Sequence, residues 1–199
     1  MNLFFLDRDL DRCAEYHIDK HVTKMVLEAA QLLTTTVWID KLFGYVPEKL
    51  SSEQLKELNH AKSKEPSIEE RTFTRYLPTH VSHPSAVWVR SSIEHYYWTV
   101  NYANALTEEA VYRGFKRHAS CTEVNRLPDL KHLPDVGWTD PTLAMPEHLK
   151  GPDHIQAYRM FYMLDKWPFA SWKVRGKPHW WDDELVEAQK EKGGRVSGR

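Results

Sequence analysis

A chain of 199 residues with 41% apolar and 28% charged side chains has the size and balance of one globular domain with a real core. Its formal net charge of −1 excludes a uniformly basic duplex-binding domain, because phosphate pairing needs clustered lysine and arginine. Nucleic acid can be held only on a local basic surface. No apolar run approaches the roughly 20 residues that cross a bilayer, and the opening MNLFFLDRD turns acidic too soon for a signal peptide. Two cysteines, Cys13 and Cys121, form neither a CxxC pair nor a disulfide framework. These features predict a cytoplasmic, reduced setting (the host cell cytoplasm if the chain is phage-encoded) and no membrane partner.

Asn2 to Leu6 is an apolar run that reads as a short strand or an extended lead-in. Asp7 or Asp9 then offers an N-cap for a helix running from about residue 10 to Trp38. Projected at 100° per residue, Ala14, Ile18, Val22, Met25, Val26, Ala29, Leu32 and Leu33 share one apolar arc. Beside it runs a second stripe, His17, His21, Lys24, Glu28 and Gln31, recurring at four, three, four and three. A polar stripe at the margin of a core lines a cleft rather than the open solvent face.

Residues 44–71 turn polar and predict a solvated helix-and-loop excursion. In the stretch Tyr76 to Ser92, Pro84 suits the first turn of a second long helix, predicted to reach Tyr112 and to be closed by Arg113-Gly114-Phe115. Residues 120–150 carry Pro128, Pro134, Pro141 and Pro146 and no clear period, so an irregular wrapping segment is expected. A helix from Asp153 to Lys166, an aromatic-basic stretch to Trp181 and a short polar helix follow. The expected fold is mainly α. One compact helical domain spans 1–191, with at most a short N-terminal strand, and 192–199 form a disordered tail.

The polar stripe has three readings. His17 and His21 at i, i+4 have metal-ligand spacing; the five residues can simply be satisfied at a core margin; or they form a metal-free active-site wall. In the last, Glu28 works as acid/base or charge stabiliser while His21 and Lys24 contact an anion. His80 and His83 precede Pro84, with Arg90 in the helix that follows, and the start of a helix offers unpaired N–H groups to a phosphate. The run DKWPFASWKVRGKPHWW holds four of the eight tryptophans with Lys166, Lys173, Arg175 and Lys177. Interleaved aromatic faces and cations suit base stacking and phosphate pairing, so Trp172, Lys173, Trp180 and Trp181 are candidate contacts. Arg113, Lys116 and Arg117 in YRGFKRH form a second basic cluster.

MNLFFLDRD, the DKHVTKMVLEAAQLL helix, HP followed by VWVR, AMPEHLK and QAYRMFYMLDK resemble small phage-encoded proteins of the pyrimidine-dimer DNA glycosylase/AP lyase (phage endonuclease V) type. The resemblance follows the order of parts across most of the chain, excepting residues 40–75 and the tail. It implies a compact all-α protein that binds and bends damaged duplex. It also implies that a terminal amine attacks C1′ of the damaged nucleotide, assisted by a helix glutamate. An α-amine is partly unprotonated near neutral pH and can do this. Glu28 takes the glutamate role and His21 the DNA-contact role. The family has a small residue after the initiator Met and exposes a Thr amine; here Asn2 follows, so the amine is assigned to Met1. The family's arginine before the glutamate is replaced by Leu27, with Lys24 the nearest cation. Arg159 in QAYRMFYMLDK joins His17, Gln31, His80, His83, Arg90, Arg113 and Arg117 as an expected substrate contact.

The function expected from the sequence is a DNA- or nucleotide-directed N-glycosidase, without cofactor or metal. AP lyase activity follows where the Met1 amine acts. The alternatives are a metal-dependent nucleotide hydrolase using His17 and His21, and a non-catalytic phage protein that binds a nucleotide or a host protein.

Overall fold

A computed structural model describes residues 1–67, 70–71 and 73–193. Among them the fold is all α, with eight α-helices and no strand. The expected disordered tail lies, from residue 194 on, outside the described residues.

Asn2–Leu6 is buried and extended but has no partner strand. A buried backbone must be satisfied by something, and here side chains supply the partners. Tyr102 Oη accepts from the Phe4 N–H at 3.4 Å, and Arg159 Nε donates to the Leu6 carbonyl at 2.9 Å. The Cys13 thiol donates to the Phe4 carbonyl at 3.3 Å, and its sulfur accepts from the Leu6 N–H at 3.4 Å. The segment is therefore threaded through the core without a sheet.

Helix α1 (Leu10–Tyr16) starts at Asp9, whose side chain accepts from the Arg12 N–H. Helix α2 (Asp19–Phe43) carries the apolar arc from Val22 onward, Ala14 lies in α1 and Ile18 at the break between them, and every arc residue named above is buried. The expected single helix from 10 to Trp38 is thus two. His17 and Ile18 adopt extended backbone, with ψ of 136° and 150°. The reason is tertiary: the Arg113 guanidinium takes the carbonyls of His17, Ala14 and Glu15 at 2.7, 3.4 and 2.8 Å. Helix α2 also runs on past Trp38 to Gly44, which ends it in the left-handed region at φ +69°.

Helix α3 (Ser52–Ser63) is the solvated excursion, opened by a Ser51–Gln54 capping box. The second long helix is also broken, into α4 (Pro84–Ser91) and α5 (Ile93–Tyr112), because Ser92 is extended and the Ile93 N–H turns to the Pro134 carbonyl. Pro84 holds the first turn of α4 as expected. Gly114, at φ +83°, closes α5: its N–H reaches Val111 while the Phe115 N–H reaches Ala110. The 120–150 segment is irregular apart from α6 (Ala119–Val124) and one 3₁₀ turn, Glu147–Leu149. Helix α7 (His154–Phe161) continues into a π-helical turn, Tyr162–Lys166, and α8 (Asp183–Glu191) follows the aromatic-basic stretch. Helices α2 and α5 form the central pair, flanked by α1, α4 and α6. No helix among the described residues is long and apolar enough to cross a membrane.

Candidate functional site

The extended segment delivers the start of the chain to the polar stripe of α2. Glu28 is 9% exposed. Its Oε2 accepts from the Asn2 backbone N–H at 2.8 Å, and its Oε1 pairs with Lys24 Nζ at 3.1 Å. Asn2 is pinned in turn: its Nδ2 donates to the Ala144 carbonyl at 2.8 Å, and its Oδ1 accepts from the Tyr158 hydroxyl at 3.0 Å and from the Leu3 N–H at 2.9 Å. The carboxylate is fixed against the chain terminus by groups from α2, α7 and the wrapping segment.

His83 meets this cluster from α4. Its Nδ1 accepts from the Ser85 N–H at 3.2 Å, capping the helix. Burial lowers its pKa first, the positive Met1 amine and His80 lower it further, and the Glu28 carboxylate opposes them. The charges of Met1, His80 and Glu28, assigned from two distant stretches, are thus all felt at His83. His80 holds φ +50° and bonds the Thr79 hydroxyl at 2.8 Å. The same Thr79 is held on α2 by Thr35, whose Oγ1 also donates to the Gln31 carbonyl.

The two histidines of the stripe take different positions from the ones their spacing predicts. His17 is fully buried, its Nδ1–H donating to the Cys13 carbonyl at 2.7 Å and its Nε2 accepting from the Tyr102 hydroxyl at 2.8 Å. Burial pushes its pKa down to about 3. Both ring nitrogens are committed and the helix breaks between His17 and His21, so the pair does not present two free nitrogens to one metal. Among the described residues no group of three histidine, cysteine or acidic side chains is placed to hold a metal. His21 stacks on Phe4 at 4.7 Å and bonds the Tyr162 hydroxyl at 2.8 Å. Burial, then the charges of His17, Lys24, Lys166 and Lys20, push it down to about 2. It is therefore a neutral ring, and of those lysines Lys24 pairs with Glu28 and Lys166 with Asp165.

The expected arginine contacts divide sharply. Arg90 is 1% exposed and its guanidinium donates to the carbonyls of Pro47, Val81 and Glu48. Arg113 is clamped as described and also pairs with Glu109 at 2.7 Å and Asp19 at 3.0 Å. Arg159 holds the Leu6 carbonyl and Asp7. All three brace the fold; Arg90 and Arg113 are buried, and Arg159 is half-buried. Arg117 is exposed and pairs with Glu108.

In the tryptophan segment Trp172 is buried, Trp167, Trp180 and Trp181 are half-buried, and Lys173, Arg175 and Lys177 are exposed. Trp172 donates to the Tyr16 carbonyl, and Trp180 lies under the Arg159 guanidinium at 5.3 Å. Trp181 donates to Asp183 at 3.0 Å, while the Lys173 backbone N–H donates to Asp19. No contact joins these residues to Glu28 among the described residues. Sequence reasoning missed the tyrosine hydroxyls of Tyr102, Tyr158 and Tyr162 and the Asn2 backbone. Tyr158 and Tyr162 at i, i+4 were the available signal.

The fold and this cluster define an all-α single-domain protein with a buried carboxylate seated on its own N-terminal segment. No family model, curated protein or solved structure compared with the chain matches it.

Proposed function

We propose that this protein is a DNA- or nucleotide-directed N-glycosidase in which Glu28 acts at the sugar carbon and the Met1 amine is the candidate nucleophile. The observation that carries the reading is the Glu28 carboxylate, buried and hydrogen-bonded to the Asn2 N–H. Cleavage of an N-glycosidic bond develops positive charge on the sugar, and a fixed carboxylate stabilises it. On the amine route the terminal nitrogen bonds to C1′, the base departs with its bonding electrons and takes up a proton, and opening of the sugar ring leaves an imine. Glu28 is placed to manage protons in those steps. Near His21, Lys20 lies over the Phe169 ring at 4.7 Å and offers charge to a phosphate on an otherwise near-neutral chain. Lys24 and Lys166 are already paired with Glu28 and Asp165. The resemblance to the dimer glycosylase/AP lyase type points to the same chemistry.

Borohydride reduction during incubation with abasic or dimer-containing duplex tests the mechanism. The expected result is a covalent DNA adduct that maps to residue 1. Base release without an adduct would remove the amine and leave the glycosidase. Neither adduct nor base release from duplex or free nucleotide would remove the proposal.

A further inference from the structure

A pocket lined by aromatic rings lies elsewhere in the fold. Phe4 turns its ring toward His21, and Phe5, next along the extended segment, turns toward α4 and α5. There Phe5 stacks on Trp98 at 4.1 Å and 11°, and both line a pocket of about 480 Å³ with Trp138, Arg8, Asp140 and His154. That volume falls in the range of small-molecule sites, roughly 300–1,000 Å³.

Trp138 is 42% exposed yet firmly held. Gly137, at φ +76°, turns the chain just before it. The next residue, Thr139, donates its N–H to His95 Nε2 at 2.9 Å and accepts from the Trp88 indole N–H at 3.2 Å. Trp88 and His95 are themselves stacked at 4.1 Å, and Trp138 packs edge-on against both at 5.4 Å. A large aromatic ring kept half in solvent by this much internal bonding is a preorganised stacking surface.

The charges around the pocket decide what it suits. Asp7 is balanced by Arg12 at 3.3 Å and Arg159 at 3.2 Å, and Asp140 faces His154 at 3.5 Å. Arg8 is exposed and makes no hydrogen bond or ion pair among the described residues, its charge acting on the Asp153 carboxylate. The pocket therefore sets an exposed guanidinium beside an aromatic floor, with the Asp140 carboxylate and the His154 ring on its wall.

We infer that this pocket binds an aromatic base carrying a phosphate, the base stacking on Trp138 and the phosphate meeting Arg8. Carboxylate and imidazole at Asp140 and His154 offer an acceptor and a donor to a base edge. The site is built apart from Glu28 and stands whether or not the glycosidase reading does.

Calorimetric titration of the full chain tests it, using thymidine and adenosine monophosphates, the matching nucleosides, inorganic phosphate and tetramethylammonium. Saturable binding of a monophosphate is expected, with the nucleoside weaker and phosphate alone not binding. Trp138→Ala should weaken the monophosphate about tenfold or more, with Trp138→Phe restoring most of it. Arg8→Ala should weaken the monophosphate about tenfold and leave the nucleoside unchanged. Glu28→Gln should leave all of these values unaltered, which separates this site from the proposed reaction. No saturable nucleotide binding, binding indifferent to both Trp138→Ala and Arg8→Ala, or preferential binding of tetramethylammonium would each overturn the inference. Competition by a short single-stranded oligonucleotide identifies a strand as the source of the base, and its failure identifies a free nucleotide; either fits the site.

Discussion

Glu28 Oε2 lies 2.8 Å from the backbone nitrogen of Asn2, a residue 26 positions away in sequence. A backbone N–H is a donor that no substitution of Asn2 except proline removes, so the carboxylate keeps its anchor with any other side chain after Met1. What varies is the other oxygen, shared with the half-exposed Lys24.

Glu28→Gln should therefore fold normally. Its amide oxygen can still accept from Asn2, and the Lys24 side chain, 56% exposed, can swing into solvent. Loss of the charge should reduce base release about a hundredfold or more if Glu28 works as proposed. Unchanged single-turnover rates in a variant of normal thermal stability would show the carboxylate to be structural.

Arg113 should prove the most sensitive structural position. It is buried, pairs with Glu109 and Asp19, and donates to three carbonyls of the α1–α2 junction. Arg113→Met leaves those carbonyls without this donor, while Asp19 keeps Ser171 and the Lys173 N–H. The expected loss is about 3 kcal/mol or more, read as a lower midpoint in urea denaturation. Arg175, which also bonds Glu109, softens the effect on that one carboxylate.

Acid should destabilise the fold through its buried histidines. His17 and His21 have pKa values lowered to about 3 and about 2, against 6.5 for the free side chain. Below about pH 6.5 the unfolded chain takes up protons that the folded chain refuses, so stability falls as pH falls. Each histidine contributes at most about 1.4 kcal/mol per pH unit across that window. Denaturation measured from about pH 7 to about pH 4 should show this slope, shallower by up to one proton in His17→Gln. A slope identical to the parent's would exclude His17 as a source.

Cys13 should resist alkylation in the folded protein. Burial raises its pKa to about 11, and its thiol is bonded at Phe4 and Leu6. Only thiolate reacts, so iodoacetamide labelling of Cys13, mapped by mass, should appear with unfolding and at the unfolding rate. Rapid labelling under native conditions would contradict the packing described here.

The helical class, the apolar arc of α2, the Pro84 start and the Gly114 stop could all be read from sequence. Each rests on local periodicity or on a backbone preference of one residue. Val22 to Leu33 recur at helical spacing, and Gly114 closes α5 because only a left-handed residue lets the chain reverse there. The breaks at His17 and Ser92 could not be read in this way. Arg113 and Pro134, far along the chain, supply alternative partners that compete with the helix at those points.

The candidate site divides along the same line. Residue type and spacing marked Glu28, Lys24, His80 and His83, since a polar stripe beside an apolar arc is a local pattern. Which charges stay open was decided only by tertiary structure. Arg90, Arg113 and Trp172 look in sequence like any cation or ring available to nucleic acid. In the fold each donates to backbone carbonyls at helix ends and in connections. A chain with an extended segment at its centre and broken helices around it must draw its hydrogen bonds from side chains, and those side chains are then closed to a ligand.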